Sequence, residues 1–154
     1  KWKIAFISKP SNFKIPFFGR IIRKCCFMPI NRENPRKAIP TINRAAKLLR
    51  KQEVSIGVYP EGTRSKTCEL LPFHNGVFKI AQKADAPIVV LSITGTERIA
   101  KRTPFKSTDV YLDVLEVLSG ENIQKTKTEL IGTAVRRVIE MNTERRDGAW
   151  QKDM

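Results

Sequence analysis

The sequence VSIGVY, residues 54 to 59, runs directly into PEGTRS, residues 60 to 65. The first six residues are rich in apolar and β-branched side chains, which is typical of a buried strand. The next six bring together a carboxylate, a glycine, two hydroxyls and a guanidinium. Ligands of open α/β sheets bind at the carboxyl ends of the strands, so the sequence predicts a binding site where this strand ends.

Strands and helices alternate along the rest of the chain. Apolar patterns predict strands at residues 2–8, 27–31, 54–59, 86–93 and 109–118, and helices at 15–27, 34–51, 75–84 and 122–144. This alternation predicts an α/β fold with a mostly parallel central sheet flanked by helices, built as a single domain over residues 1–154. The continuous apolar run at 86–93 predicts a parallel strand covered on both faces, and the alternating run at 109–118 predicts a more exposed edge strand.

Positive charge is concentrated near the start of the chain. The net charge is +14, and residues 1–50 contain thirteen Lys or Arg but only one acidic residue, Glu33, which places +12 in that third. An anionic partner would match this distribution, and nucleic acid, an anionic membrane surface and a phosphorylated substrate all qualify. A basic surface that simply keeps the protein soluble is the alternative.

The cysteines predict neither a disulfide framework nor a zinc site. Cys25, Cys26 and Cys68 are odd in number, and no Cys or His lies at metal-ligand spacing. A reducing, cytosolic environment fits this usage. No apolar run approaches the roughly 18 residues that would indicate a membrane-spanning helix.

The residues after the strand at 54–59 suit the binding of a phosphate. Gly62 would allow close backbone approach or a positive φ, and Arg64 offers a planar fork that matches phosphate oxygens. Thr63 and Ser65 add hydroxyls, and Glu61 could hold Arg64 or a substrate hydroxyl. A solvated turn with an ordinary ion pair is the alternative interpretation.

Two further residues lie at strand ends. Arg32 follows the short strand FMPIN, so it and Arg64 would form a phosphate clamp if the two strands are neighbours. Pro87 opens the strand at 86–93, a position where the missing N–H is tolerated.

These motifs together resemble the glycerolipid acyltransferases, specifically the 1-acyl-sn-glycerol-3-phosphate (lysophosphatidic acid) acyltransferases. PEGTRS at 60–65 is similar to the family's signature, and the blocks KIPFFGRIIR (14–23), FMPINREN (27–34), LLPFHNGVFKIA (70–81) and APIVVLSITGTE (86–97) follow in the family's order. The resemblance covers about residues 4–100.

The resemblance implies roles for individual residues. Arg32 belongs to the family's second motif, and Glu61, Gly62, Thr63 and Arg64 to the third, both associated with the glycerol phosphate. Pro87 falls in the fourth motif, associated with the acyl donor. The implied reaction transfers a fatty acyl group from acyl-CoA or acyl carrier protein to the 2-hydroxyl of the lysophospholipid, with no metal or tightly bound cofactor. Glycerol 3-phosphate or another lysolipid is an alternative acceptor that the sequence does not separate.

The general base that this reaction needs has no match in the chain. The family's first motif is His, four residues, then Asp, whereas the single histidine, His74, is followed five positions later by Lys79. We therefore expect the chain to be an N-terminally truncated domain, with the His-x-x-x-x-Asp motif upstream of Lys1, and we expect these residues alone to be inactive.

The segment IPFFGRIIRKCCF, residues 15–27, predicts a basic amphipathic helix. Its apolar residues, with basic residues between them, would contact an anionic membrane surface, although core packing is an alternative role for the apolar residues. The predicted contact residues are Phe17, Phe18, Arg20, Ile21, Arg23 and Lys24.

The predicted location is the cytosolic face of a membrane, such as the bacterial cytoplasmic membrane, with the protein peripheral or held by an anchor outside this chain. A basic nucleic-acid-binding module is the rival from another class, which a pI of about 10.1 would permit. The sequence lacks the aromatic run and finger spacing of that class, so we do not expect nucleic acid as a partner.

Overall fold

Three short parallel strands form the first sheet of the protein, as seen in a computed structural model that describes residues 3–31, 34–65, 67, 69–99 and 107–150. The strands are β1 (Ile4–Ser8), β2 (Met28–Pro29) and β3 (Ser55–Gly57), in the order β2-β1-β3. Ile7 lies opposite Met28, and Ile4 lies opposite Ser55. Because all three strands run the same way, the chain leaves the sheet at one common edge after each of them.

Two helices connect these strands. The chain passes from β1 through a 3-10 turn (Pro10–Lys14) into α1 (Phe18–Lys24), which is shorter than the helix predicted at 15–27. Pro16 and the positive φ of Phe17 (58°) interrupt the backbone before α1, so one continuous helix cannot form.

The second helix, α2 (Pro35–Arg50), begins and ends close to its predicted positions. The side chain of Asn34 caps it by accepting the backbone N–H groups of Arg36 and Lys37 at 3.0 and 3.3 Å, with Pro35 next in the chain. One face of α2 packs on one face of the sheet. Their shared core contains Ile7, Met28, Ile30, Ala38, Ile42, Ala45 and Ile80.

A 3-10 turn (Asn75–Phe78) and α3 (Lys79–Ala84) occupy the segment predicted as a single helix at 75–84. This segment contributes to two cores, since Ile80 packs with the first sheet while Phe78 and Ala81 pack with the second.

The second sheet is an antiparallel pair, β4 (Ile88–Thr94) and β5 (Tyr111–Leu118). The prediction that residues 86–93 form a parallel strand covered on both faces is therefore wrong. Val90 and Ser92 are buried, but the alternate residues are exposed. An apolar run alone does not reveal whether its partner strand is parallel or whether both faces are covered. The exposed face of the pair consists of Val89, Leu91, Ile93, Leu112, Val114 and Val117.

Two helices follow β5, α4 (Gly120–Gln124) and α5 (Thr128–Trp150), where one helix from about 122 to 144 was predicted. Ile123, Ile131 and Val135 bury their side chains against Phe78 and Val90. The α/β class with helices flanking a parallel sheet is confirmed for the three-stranded sheet. Strand β5 is largely exposed, as predicted.

The packing of α1 on the preceding 3-10 turn yields a testable prediction about stability. Gly19 is buried, and a Cβ atom at this position would lie 2.3 Å from the backbone oxygen of Phe13. We expect Gly19→Ala to lower the free energy of unfolding by about 1–3 kcal/mol, because backbone must shift to relieve the overlap. Urea denaturation measures this loss.

Gly76→Ala is the matched control, since a Cβ at Gly76 would meet no atom within 4 Å. A loss of the same size in both variants would contradict the steric explanation.

Candidate functional site

The segment of residues 60–65, called here the EGTR loop, follows β3 at the carboxyl edge of the parallel sheet. The backbone N–H of Gly62 donates to the carbonyl of Tyr59 at 3.0 Å and closes a turn. Gly62 is buried and has φ of 70°, a conformation that residues with a Cβ rarely adopt. The positive φ predicted as one role of Gly62 is therefore present. It lies in the turn after which Thr63 and Arg64 are exposed.

Two hydrogen bonds attach the start of the loop to residues 71–74. The backbone N–H of Leu71 donates to Oε2 of Glu61 at 2.9 Å, and the backbone N–H of His74 donates to the carbonyl of Pro60 at 2.8 Å. Hydrogen bonds to a carboxylate are stronger than those between neutral groups. The Glu61 carboxylate thus shapes the loop, and no ion pair joins it to Arg64 within the described residues.

Thr63 and Arg64 project from this anchored turn and are exposed. Among the residues that the structure describes, no carboxylate lies within ion-pair distance of Arg64. Next to them, the backbone N–H of Thr67 donates to Oγ of Ser65 at 3.3 Å. The guanidinium of Arg64 is therefore available to an anion at the end of β3.

Arg136 on α5 holds the segment that anchors the EGTR loop. Its Nη2 and Nη1 donate to the carbonyls of Leu70 and Leu71 at 2.8 and 2.9 Å. Its Nε donates to Oε1 of Glu140 at 2.7 Å, and the guanidinium carbon lies 5.8 Å from the centre of the Phe73 ring. Arg136 was not among the residues predicted from the sequence. The spacing of Arg136 and Glu140 indicates an ion pair within one helix, but backbone carbonyls leave no pattern in a sequence.

Three aromatic rings lie in a row beside the loop. The ring centre of Phe6 is 5.3 Å from that of Phe27 and 6.0 Å from that of Tyr59, which directly precedes the loop. Gly57 makes room for Phe6, because a Cβ there would come within 2.3 Å of the Phe6 ring. Sequence analysis missed this row, since the three rings come from three separate segments. It forms an apolar surface next to the polar loop.

The remaining predicted site residues are not part of this cluster. Arg32 lies outside the described residues, so its predicted role at the phosphate site stays a prediction. The strands that precede Arg32 and Arg64 are not neighbours as the clamp assumed, because β1 lies between β2 and β3. Pro87 is exposed and directly precedes β4, in the second sheet. Its predicted contact with the acyl donor also stays a prediction.

The predicted membrane-contact residues largely face solvent. Phe17, Phe18 and Ile21 are 80%, 45% and 58% exposed, and Arg20 and Lys24 lie exposed among them. Arg23 is also exposed, while its Nη2 donates to the carbonyl of Phe13 at 3.2 Å and its guanidinium lies 5.9 Å from the Phe13 ring centre. The membrane contact of these residues stays a prediction. No helix in the described part of the chain is both long and apolar enough to span a bilayer.

Known proteins share both this sequence pattern and this fold. The model of the family described as Acyltransferase matches residues 2–94. The chain belongs to the acyltransferase family. The matched residues include the EGTR loop, the α1 segment and all of β4, which confirms the resemblance predicted from the sequence.

Two curated proteins illustrate the similarity in sequence. A 1-acyl-sn-glycerol-3-phosphate acyltransferase of Cocos nucifera is 40% identical over 90 residues, covering 58% of this chain and 29% of that protein. One from Escherichia coli K12 is 29% identical over 134 residues, covering 87% of this chain and 55% of that protein.

A solved acyltransferase has the same fold. The crystal structure of the 1-acyl-sn-glycerophosphate acyltransferase PlsC from Thermotoga maritima superimposes with a TM-score of 0.71 at 25% identity, covering 94% of this chain and 57% of that one. The present chain therefore spans between about a third and three fifths of the length of these relatives.

The contacts of Arg136 predict that α5 controls the stability of the loop anchor. We expect Arg136→Met to lower the free energy of unfolding by about 1–2 kcal/mol, because two carbonyls and Glu140 lose a charged donor that is 35% exposed. Thermal unfolding followed by circular dichroism measures the change.

Arg137→Met is the matched control, since Arg137 is exposed on the same helix. Hydrogen exchange of the Leu71 amide should accelerate only in the Arg136 variant. Unchanged protection of that amide would contradict the anchoring role.

Proposed function

We propose that this acyltransferase domain takes part in phospholipid biosynthesis by transferring an acyl group to the 2-hydroxyl of 1-acyl-sn-glycerol 3-phosphate. The product would be phosphatidic acid. The observation that carries the proposal is Arg64, exposed and without a carboxylate partner among the described residues, on a turn that Gly62 and Glu61 fix at the carboxyl edge of a parallel sheet.

The acceptor would bind by its phosphate. Arg64 can donate two parallel hydrogen bonds to phosphate oxygens, and Thr63 can donate its hydroxyl. The tight turn at Gly62 lets the ligand approach the backbone, while Arg32 would complete the clamp. Holding the phosphate fixes the glycerol hydroxyl relative to the acyl donor, which is how positioning accelerates a reaction between two substrates.

The transfer step requires a base. The acceptor oxygen bonds to the thioester carbonyl carbon while the base takes the hydroxyl proton. The carbon–sulfur bond then breaks, and the base returns that proton to the leaving sulfur to give the free thiol. His74 is exposed and its backbone N–H is bonded to Pro60, in a sequence context unlike the family's His-x-x-x-x-Asp motif. We therefore place the base in such a motif outside these 154 residues, which would form part of a single acyltransferase domain.

The donor would be an acyl thioester of coenzyme A or of acyl carrier protein. The family's fourth motif supports Pro87 and the start of β4 as the donor region, and the exposed position of Pro87 is compatible with contact by a second substrate. Competition between the two thioesters in one assay distinguishes them.

A membrane-facing patch would bring the domain to its lipid substrates. We assign to it Phe17, Phe18, Arg20, Ile21 and Lys24, whose apolar members would enter the interface while the basic members meet anionic headgroups. Phe17 has φ of 58°, a costly backbone conformation for a residue with a Cβ, and such strained residues cluster at functional sites. The exposed patch supports a peripheral position on a membrane, and we propose the cytosolic face.

The phosphate-binding role of Arg64 predicts a selective loss of acceptor binding. We expect Arg64→Gln to weaken binding of 1-acyl-sn-glycerol 3-phosphate by about 10- to 100-fold, the value of a charge-assisted bidentate contact. Equilibrium binding of the radiolabelled lipid below its micellar concentration measures this, and kinetics of the protein expressed from the complete coding sequence should show a raised acceptor KM with an unchanged donor KM.

Arg137→Gln, an exposed substitution on α5, controls for the loss of one positive charge. Equal affinity for the lysophospholipid in the Arg64 and Arg137 variants would refute the phosphate-binding role of Arg64. Faster turnover of glycerol 3-phosphate or another lysolipid would keep that role but would change the proposed acceptor.

The membrane patch predicts a loss of vesicle binding when its apolar residues are removed. We expect the double substitution Phe17→Ser and Ile21→Ser to reduce partitioning to anionic vesicles by at least about tenfold, because each side chain loses about 1.5–3 kcal/mol of apolar transfer energy when fully inserted. Cosedimentation with vesicles at two salt concentrations measures the partitioning.

Ile39→Ser is the control, since Ile39 is 49% exposed on α2 and lies outside the patch. Unchanged partitioning of the double variant would refute the membrane patch. Equal binding of the native chain to neutral and anionic vesicles would refute the electrostatic part of the proposal.

A further inference from the structure

A surface cavity of about 520 Å³ lies beside β2, on the side of the sheet away from β3. Its size is within the range of small-molecule sites. Four separate parts of the chain supply its lining, which consists of Pro10, Phe13 and Lys14 of the first 3-10 turn, Arg23 of α1, Phe27 and Pro29 at β2, and Arg44 of α2. Neither the resemblance nor the proposed acyl transfer assigns a role to it.

Three basic side chains line this cavity. Lys14, Arg23 and Arg44 come from three different elements, and within the described residues no carboxylate is close enough to pair with any of them. An anion in the cavity would be attracted by all three charges.

Arg23 is oriented toward the cavity by the protein itself. Its Nη2 donates to the carbonyl of Phe13 at 3.2 Å, and the guanidinium lies over the Phe13 ring. This contact uses only one of the five N–H donors of the guanidinium, so several others stay available to a ligand. Holding the side chain in advance lowers the entropy lost when an anion binds.

The walls around these charges are apolar and well supported. Phe13 is buried, and the close approach of Gly19 to its backbone fixes α1 on the 3-10 turn. On the opposite wall, Oγ1 of Thr41 donates to the carbonyl of Pro29 at 2.7 Å and ties β2 to α2. The cavity thus combines a charged rim with aromatic and proline surfaces, an arrangement that suits an anion attached to an apolar group.

We propose that this cavity binds a phosphomonoester, and we call it the accessory phosphate site. Two guanidinium groups and an ammonium can neutralise a dianion, whereas a phosphodiester has only one negative charge and fewer free oxygens. The site is separate from the EGTR loop, since none of its lining residues belongs to residues 60–65. The phosphomonoester can come from a soluble metabolite or from a lipid headgroup at the membrane surface.

Binding measurements on the 154-residue chain test the site. In the Arg64→Gln background, which removes the phosphate grip of the EGTR loop, we expect Arg44→Gln to weaken binding about tenfold further, corresponding to one charge-assisted contact. The soluble probe is radiolabelled glycerol 3-phosphate in equilibrium dialysis. The lipid probe is vesicles containing phosphatidic acid, compared with phosphatidylglycerol vesicles of equal surface charge.

Arg36→Gln supplies the matched control, because it removes the same charge from an exposed position of α2 outside the cavity. Lys14→Gln is the second variant, on a different wall, and circular dichroism confirms that each variant is folded. A soluble ligand is supported if glycerol 3-phosphate binding is lost in the Arg44 and Lys14 variants but kept in the Arg36 variant. A selective loss of binding to phosphatidic acid vesicles supports a lipid headgroup.

Two results would overturn the accessory phosphate site. The first is an equal effect of Arg44→Gln and Arg36→Gln on both probes, which would reduce the cavity to general surface charge. The second is equal binding of the native chain to phosphatidic acid and phosphatidylglycerol vesicles together with no detectable binding of glycerol 3-phosphate. Neither result bears on Arg64, so the proposed acyl transfer stands or falls separately.

Discussion

The carboxylate of Glu61 accepts a hydrogen bond from the backbone N–H of Leu71, and the shape of the EGTR loop depends on this contact. The bond joins two segments ten residues apart, and Arg136 then joins the second segment to α5 through the carbonyls of Leu70 and Leu71. A loop held only by its own turn at Gly62 would sample many conformations. A ligand that binds one of them would then lose affinity, because ordering the loop costs conformational entropy. The contacts of Arg136 on α5 therefore help to hold the EGTR loop in one conformation.

The parallel sheet decides which surfaces are available to ligands. Ala5 and Ile7 of β1 are buried on the side that α2 covers, whereas Phe6, on the other side, contacts Phe27 and Tyr59. Because side chains alternate between the faces of a strand, a short strand supports the core on one face and an aromatic row on the other. That row lies between the EGTR loop after β3 and the accessory phosphate site beside β2.

Much of this arrangement could be predicted from the sequence because it depends on local patterns. The α/β class, the capped start of α2 at Asn34 and the turn glycine at position 62 all follow from spacing and residue type. The pairing of β4 could not be predicted, since an apolar run has the same pattern in a parallel and an antiparallel strand. Arg136 was missed for a different reason, because its partners are carbonyl groups about 65 residues earlier in the chain. Arg23 illustrates a third limit, since a basic residue in an amphipathic segment can face a membrane or its own protein.

The short helix α1 contributes residues both to the proposed membrane patch and to the accessory phosphate site. Gly19 and Ile22 lie three residues apart and are buried, so they mark the face of α1 that packs on the protein. Phe17, Phe18 and Ile21 fall on the exposed faces, while Arg23 lies next to the buried face and contacts Phe13 at the wall of the accessory phosphate site. A membrane that receives Phe17 and Ile21 would therefore bring its headgroups within one helix diameter, about 10 Å, of Arg23. The +12 charge of residues 1–50 then raises the local concentration of anionic lipid around both surfaces. The proposed membrane attachment and the proposed phosphate binding would in this way be coupled through a single seven-residue helix whose position Gly19 fixes.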